Sequence, residues 1–93
     1  IMNKYESIII VNPEVNEEGL KSLEEKFTGL INENGKVESV ESMGKRKLAY
    51  PIKKFNEATY ILFNFEANPA SIAELERVYR ITDEILKHIV VKK

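Results

Sequence analysis

Side chains able to do chemistry are sparse in this chain, and the ones that stand out are cationic. Cysteine is absent, His88 is the lone imidazole and Asp83 the lone aspartate. Without cysteine there is no disulfide, thiolate zinc ligand or thiol nucleophile. A serine triad would need His88 beside one of five scattered serines, and none of these sits in a G-x-S-x-G turn. Metal binding would fall to glutamates, whose pairs Glu17/Glu18 and Glu24/Glu25 are expected on ordinary exposed helix faces. No catalytic residue, metal site or cofactor is expected. The conspicuous stretch is "GKRKLAYPIKK" at 44–54. It carries Lys45, Arg46, Lys47, Lys53 and Lys54 and no acid, around an apolar Leu48-Ala49-Tyr50-Pro51-Ile52. A second cationic group, Arg77, Arg80, Lys87, Lys92 and Lys93, surrounds the last apolar segment. Clusters of this kind commonly neutralise phosphates. The competing explanation is protective, since lysines and a proline on an edge strand deter edge-to-edge pairing between molecules.

Charge is segregated along the chain although its net value is −1. The balance is −5 over 1–43, +5 over 44–54, −4 over 55–76 and +3 over 77–93. The two basic segments could therefore build a local positive field that the overall balance conceals. A length of 93 residues supports one domain, and 43% hydrophobic with 31% charged residues suits a soluble globular fold. The longest strongly apolar run, at 8–11, is too short for a membrane span or a secretory signal, so no membrane partner is expected. Ile1 precedes Met2 and is taken as an added residue, which sets the domain at 2–93.

The pattern of apolar residues gives six elements. A strand is predicted over 5–11, with Ile9 and Val11 on one face and Ile8 and Ile10 on the other. Apolar on both sides, it belongs in the middle of a sheet. Over 16–34 Leu20, Leu23, Phe27, Leu30 and Ile31 form the stripe of an amphipathic helix, closed by Asn34-Gly35. A long strand follows over 36–52, bent or bulged at Gly44 and confined to a sheet edge by Pro51. Alternation after Gly44 places Leu48, Tyr50 and Ile52 toward the core and Lys45, Lys47 and Lys53 away from it. A second central strand covers 59–66. Asn68-Pro69 caps the second helix, with Ser71/Glu74 as a rival capping box and Ile72, Leu75, Val78 and Tyr79 as its stripe. A β-branched strand over 85–91 completes the series.

Strand, Asn-Pro, helix and strand thus occur twice, giving βαββαβ. With the first and third strands central, the expected fold is an α+β, ferredoxin-like sandwich. Its four-stranded antiparallel sheet has the order 4-1-3-2, with both helices on one face. The other face would expose Ile8, Ile10, Tyr60 and Leu62, a patch suited to a protein partner, with Pro51 on the neighbouring edge. Two other readings share the fold. An acylphosphatase binds phosphate between its first strand and first helix with glycines and an arginine. Here that loop has neither, and holds Glu14, Glu17 and Glu18. An RNA-recognition motif stacks bases on aromatics, but "ATYILFNFEA" lacks its basic-glycine-aromatic signature.

The stretches "MNKYESIIIVNP", "GKRKLAYPIKK" and "RITDEILKHIVVK" closely resemble the family of ribosomal protein six of the bacterial small subunit, in register from Met2 to Lys93. That resemblance implies a non-catalytic, cytoplasmic ribosomal protein. It implies binding to the central domain of small-subunit ribosomal RNA together with ribosomal protein eighteen (S-eighteen), with no small-molecule substrate. Many members carry a further C-terminal tail, for which no role is carried over. The residues expected at the RNA are Lys45, Arg46, Lys47, Arg80, Lys87, His88 and Lys92, with His88 weighed first as structural. The patch Ile8, Ile10, Tyr60, Leu62 and Pro51 is expected to take the protein partner. A free-standing RNA-binding or ligand-sensing domain is the alternative, followed by an acylphosphatase-like hydrolase.

Overall fold

Two Asn-Pro steps, at 12–13 and 68–69, each end a strand and start the path to a helix. The computed structural model describes residues 2–93. It runs β1 (Asn3–Val11), α1 (Glu17–Asn34), β2 (Gly35–Ile52), β3 (Phe55–Ala67), α2 (Pro69–Ile81) and β4 (Ile85–Lys92). After β1 the Asn12 side chain accepts from the Glu14 amide at 2.8 Å, closing a turn. Asn16 then caps α1 by accepting from the Gly19 amide at 2.8 Å, with Glu17 and Glu18 at the positive end of the helix dipole. At the second step Asn68 caps α2, accepting from the Ala70 amide at 2.9 Å, and Pro69 takes the first helical position as predicted. The rival box does not form, because Glu74 turns to Arg77 and the Ser71 hydroxyl donates to the Asn68 carbonyl at 2.7 Å.

α1 ends where Asn34-Gly35 predicts, though not through a left-handed cap. Gly35 is extended and begins β2 directly. A Cβ there would fall on the Glu66 carbonyl and lie 2.9 Å from the Ala67 Cα, so glycine is required by the approach of two backbones.

The sheet is antiparallel throughout in the order β2-β3-β1-β4, the expected order read from the other edge. Tyr5, Ser7, Ile9 and Val11 of β1 join Ile61, Phe63 and Phe65 of β3 beneath the helices. From above, Leu23, Phe27 and Ile31 of α1 and Leu75 and Tyr79 of α2 fill the same layer. The Tyr79 ring packs on Phe27 at 4.8 Å and on His88 at 5.3 Å, and its hydroxyl is hydrogen-bonded to the Ser7 hydroxyl at 2.9 Å. Burial pushes the Tyr79 phenol up to about 12; the bond to Ser7 opposes that shift and the nearby Glu76 charge adds to it.

β2 departs from its expected faces. Register shifts fall between Val37 and Ser39, between Ser42 and Gly44, the second with Gly44 at φ 75°, where a bend is predicted, and between Lys47 and Ile52. Each extra residue reverses which face the following side chains take. Lys45 therefore lies opposite buried Thr59, and Lys47 opposite Glu57, on the helix-bearing side, while Arg46 lies opposite Ala58 on the open side. The expected assignment of Lys45 and Lys47 to the open face is overturned. So is the assignment of Tyr50 to the core, since it is 82% exposed. Leu48 and Ile52 are only half-buried and lie outside the core cluster. The third register shift is the reason: residues 48–51 leave the ladder with β3, so their alternation no longer assigns them a face.

A straight 18-residue strand would span about 59 Å. The molecule's longest extent is 40 Å, so β2 must curve, and its three register breaks supply the curvature. The hairpin closes through Lys53 and Lys54, at φ 48° and 74°, between paired Ile52 and Phe55. Two positive φ values match the two-residue turns that favour the twist of a hairpin. Lysine has no special tolerance for that region, and each such residue costs on the order of 1 kcal/mol.

Phe27→Ala should therefore lower unfolding free energy by about 3–5 kcal/mol. Tyr50→Ala should change it by no more than about 0.5 kcal/mol. Urea titrations of both variants check the pair, and a large loss at Tyr50 would restore the core assignment. A second expectation concerns alkali. The folded Tyr79 phenol holds its proton more tightly than an unfolded tyrosine, which titrates near pH ~10. That stabilisation is complete below pH ~10 and fades toward pH 12, amounting to roughly 2–3 kcal/mol. Tyr79→Phe should lack this part of the alkaline decline. At neutral pH it should lose about 1–3 kcal/mol, because Ser7 is left without its partner.

Candidate nucleic-acid interface

The face of the sheet turned away from the helices is built in rows that the strand register aligns. Ile89, Ile8 and Leu62 form one row across β4, β1 and β3, and Lys87, Ile10 and Tyr60 form the next. The expected patch is therefore contiguous, but its members contribute unequally. Ile10 is 6% exposed and offers almost no surface, whereas Ile8, Tyr60 and Leu62 are half-buried. β4 adds Ile89 at 43% and Val91 at 54% exposure, which the sequence reading did not include. The signal was present: alternation along 87–91, combined with antiparallel pairing to β1, puts both beside Ile8. Pro51 is exposed on the hairpin, away from these rows. One end of the face is polar, where the Lys93 ammonium donates to the Asn64 Oδ1 at 2.6 Å and lies 3.9 Å from Glu6.

Curvature of β2 gathers much of the cationic charge at one end of the sheet. On the helix-bearing side Lys45, Lys47 and Lys54 line a cleft with Pro13, Glu14 and Glu57. The carboxylates of Glu14 and Glu57 weaken the field there. On the other side of the hairpin, Lys53 lines a second cleft with Arg80, Lys87 and His88, floored by Tyr79 and Ile85. The two basic segments, far apart in sequence, thus meet at the hairpin tip. Lys92 is not part of this group: it pairs opposite Tyr5, about 17 Å along β4 from Lys87.

The cations also differ in how free they are. Arg77 forms a two-pronged ion pair with Glu74, at 2.5 and 3.1 Å, and its hydrogen bonds hold the Glu74 carboxyl below the usual range. Among the described residues, no carboxylate lies within 4.0 Å of Lys45, Arg46, Lys47, Lys53, Lys54, Arg80, Lys87 or Lys92. His88 lies opposite Ile9, on the helix-bearing side of β4. Its side chain is 19% exposed, with Nε2 3.5 Å from Glu76 and the ring against Tyr79. α2 thus holds most of this imidazole, and only an edge reaches the cleft.

An antiparallel sheet in the order β2-β3-β1-β4 with both helices on one face defines a ferredoxin-like α+β sandwich. The family of ribosomal protein S6 matches residues 4–92. The small ribosomal subunit protein bS6 of Clostridium perfringens is 54% identical over 93 residues, covering 99% of this chain and 98% of that protein. The corresponding protein of Clostridium kluyveri is 53% identical over 92 residues, covering 98% and 97%. The crystal structure of 30S ribosomal protein S6 from Thermotoga maritima superposes with a TM-score of 0.94 at 40% identity, covering all of this chain and 89% of that one. The chain belongs to the ribosomal protein S6 family, structural proteins of the small ribosomal subunit that are not enzymes.

Freedom of the guanidinium, rather than its presence, should govern binding to a polyanion. In salt-gradient elution from heparin, Arg80→Ala and Lys87→Ala should emerge at clearly lower salt than the parent chain. The double variant Arg77→Ala with Glu74→Ala should emerge close to the parent, because the two opposite charges already cancel and are removed together. Equal shifts for all three would show that the Glu74 pairing does not matter.

Proposed function

We propose that this chain binds the central domain of small-subunit ribosomal RNA through backbone phosphates, jointly with ribosomal protein eighteen (S-eighteen), as part of the cytoplasmic ribosome. One observation carries the reading: an uncovered apolar surface, Ile8, Leu62, Ile89 and Val91, lies on the same sheet as cations that have no carboxylate partner. The apolar surface suits a protein, because most of it is aliphatic and offers little to stack bases on. The cations suit phosphate, since Lys45, Arg46, Lys47, Arg80, Lys87 and Lys92 are exposed and spread over an area larger than one small anion.

Charge limits what the chain achieves alone. With a net charge of −1 and acids beside Lys45 and Lys47, its own affinity for RNA falls in the range of non-specific binding, about 10⁻⁴–10⁻⁶ M at physiological salt. A basic partner on the open face extends the positive field and couples its own binding to that of this chain.

Titrating a central-domain RNA with each protein separately and then with both is the test. The expected result is weak binding by this chain alone, with affinity rising about 5- to 150-fold once S-eighteen is present. Each true phosphate contact among the six cations should add about 0.7–0.9 to the slope of log affinity against log salt. Tight and specific binding by this chain alone, unchanged by the partner, would overturn the proposal.

A further inference from the structure

We infer that the Lys53–Lys54 turn at the tip of the β2–β3 hairpin is a phosphate-binding element in its own right, which joins the two basic segments into one track for an RNA backbone. The inference rests on the RNA-binding reading above and adds to it two residues and a path. Its first support is conformational. Both turn residues hold positive φ, 48° and 74°, in a two-residue hairpin loop where asparagine followed by glycine is the relaxed solution. Neither lysine gains a carboxylate or a hydrogen-bond acceptor in return among the described residues. The chain therefore retains strain that no ion pair or hydrogen bond of these side chains offsets among the described residues. Such outliers concentrate at contact sites.

The second support is placement. Lys54 lines the cleft that holds Lys45 and Lys47, and Lys53 lines the cleft that holds Arg80 and Lys87. The two side chains of the turn thus serve opposite sides of the hairpin. No other element among the described residues lines both clefts. Without the tip, the cations form two separate groups, one of them diluted by Glu14 and Glu57. With the tip they run from the first cleft to the second, around the end of the sheet where the hairpin closes. A single anion needs only one of those clefts. An extended polyphosphate backbone can engage both, so the ligand chemistry that fits is a run of phosphodiesters.

The test is the double variant Lys53→Asn with Lys54→Gly, which installs the relaxed turn and removes both charges. Its urea midpoint should equal or exceed that of the parent chain. Its complex with S-eighteen and a central-domain RNA fragment should show a salt slope lower by about 1.4–1.8, and affinity should fall roughly ten- to fifty-fold at 0.1 M salt. Lys53→Arg with Lys54→Arg, which keeps charge and strain, should retain the parent slope. A stable double variant with parental slope and affinity would overturn the inference and leave the proposed function standing. A parent complex that does not bind the RNA would sink both. Should the double variant unfold, single Lys53→Asn and Lys54→Asn changes read the same slope, each lower by about 0.7–0.9, and unchanged slopes would refute the idea.

Discussion

Tyr79 brings both a ring and a hydroxyl into the layer between the helices and the sheet, and both are committed. The ring touches Phe27 of α1 and His88 of β4, and the hydroxyl meets Ser7 of β1, so a single side chain of α2 contacts three other elements. Apolar packing alone would tolerate small sliding of α2 along the sheet, because dispersion and the hydrophobic effect are only weakly directional. A buried hydroxyl pair is not so tolerant. Displacing either oxygen leaves a polar atom dehydrated and unbonded, at a cost comparable with a substantial share of a small domain's stability. Ser7 is the small polar exception among the buried residues of β1, and its presence opposite Tyr79 sets where α2 sits.

That fixed position decides where function can lie. α1 and α2 cover one face of the sheet, so the open face and the hairpin tip remain available to other molecules. The two surfaces differ in kind. The rows around Ile8 are aliphatic, and the hairpin end is cationic with half-buried apolar residues behind it. A two-layer fold has no third layer to hide its second sheet face, which makes that face the natural place for assembly.

Much of this was legible from residue order. Period-two and period-four patterns located all six elements, and apolar residues on both faces of 5–11 and 59–66 placed those strands centrally, which fixed the sheet order. Asn-Pro steps gave the start of α2 to the residue. The faces of β2 were not legible, because three register breaks intervene and only the second carries a glycine to announce it. Leu48, Tyr50 and Ile52 alternate like core residues, and nothing local reveals that residues 48–51 leave the ladder with β3. Convergence of the two basic segments was hidden for a related reason: it depends on how far β2 curves. Ile10 shows the opposite failure. Strand pattern marked it as open, yet its neighbours in the folded sheet leave it almost no surface.

β1 lies between β3 and β4, and so both of its pairing partners are made after the middle of the chain. A chain synthesised from its N-terminus therefore holds β1 without any strand to bond to until β3 has appeared. Its second edge stays open until β4 arrives, when the Lys93 amide reaches the Lys4 carbonyl at 2.9 Å. The β2–β3 hairpin is different: its strands are adjacent in sequence and can zip together without waiting for either end. The cationic hairpin can thus take shape while the nascent chain is still incomplete. The apolar rows of the open face form later, because they need β4 to complete them. Order of emergence from the synthetic machinery thereby separates in time the two surfaces that the finished fold presents together.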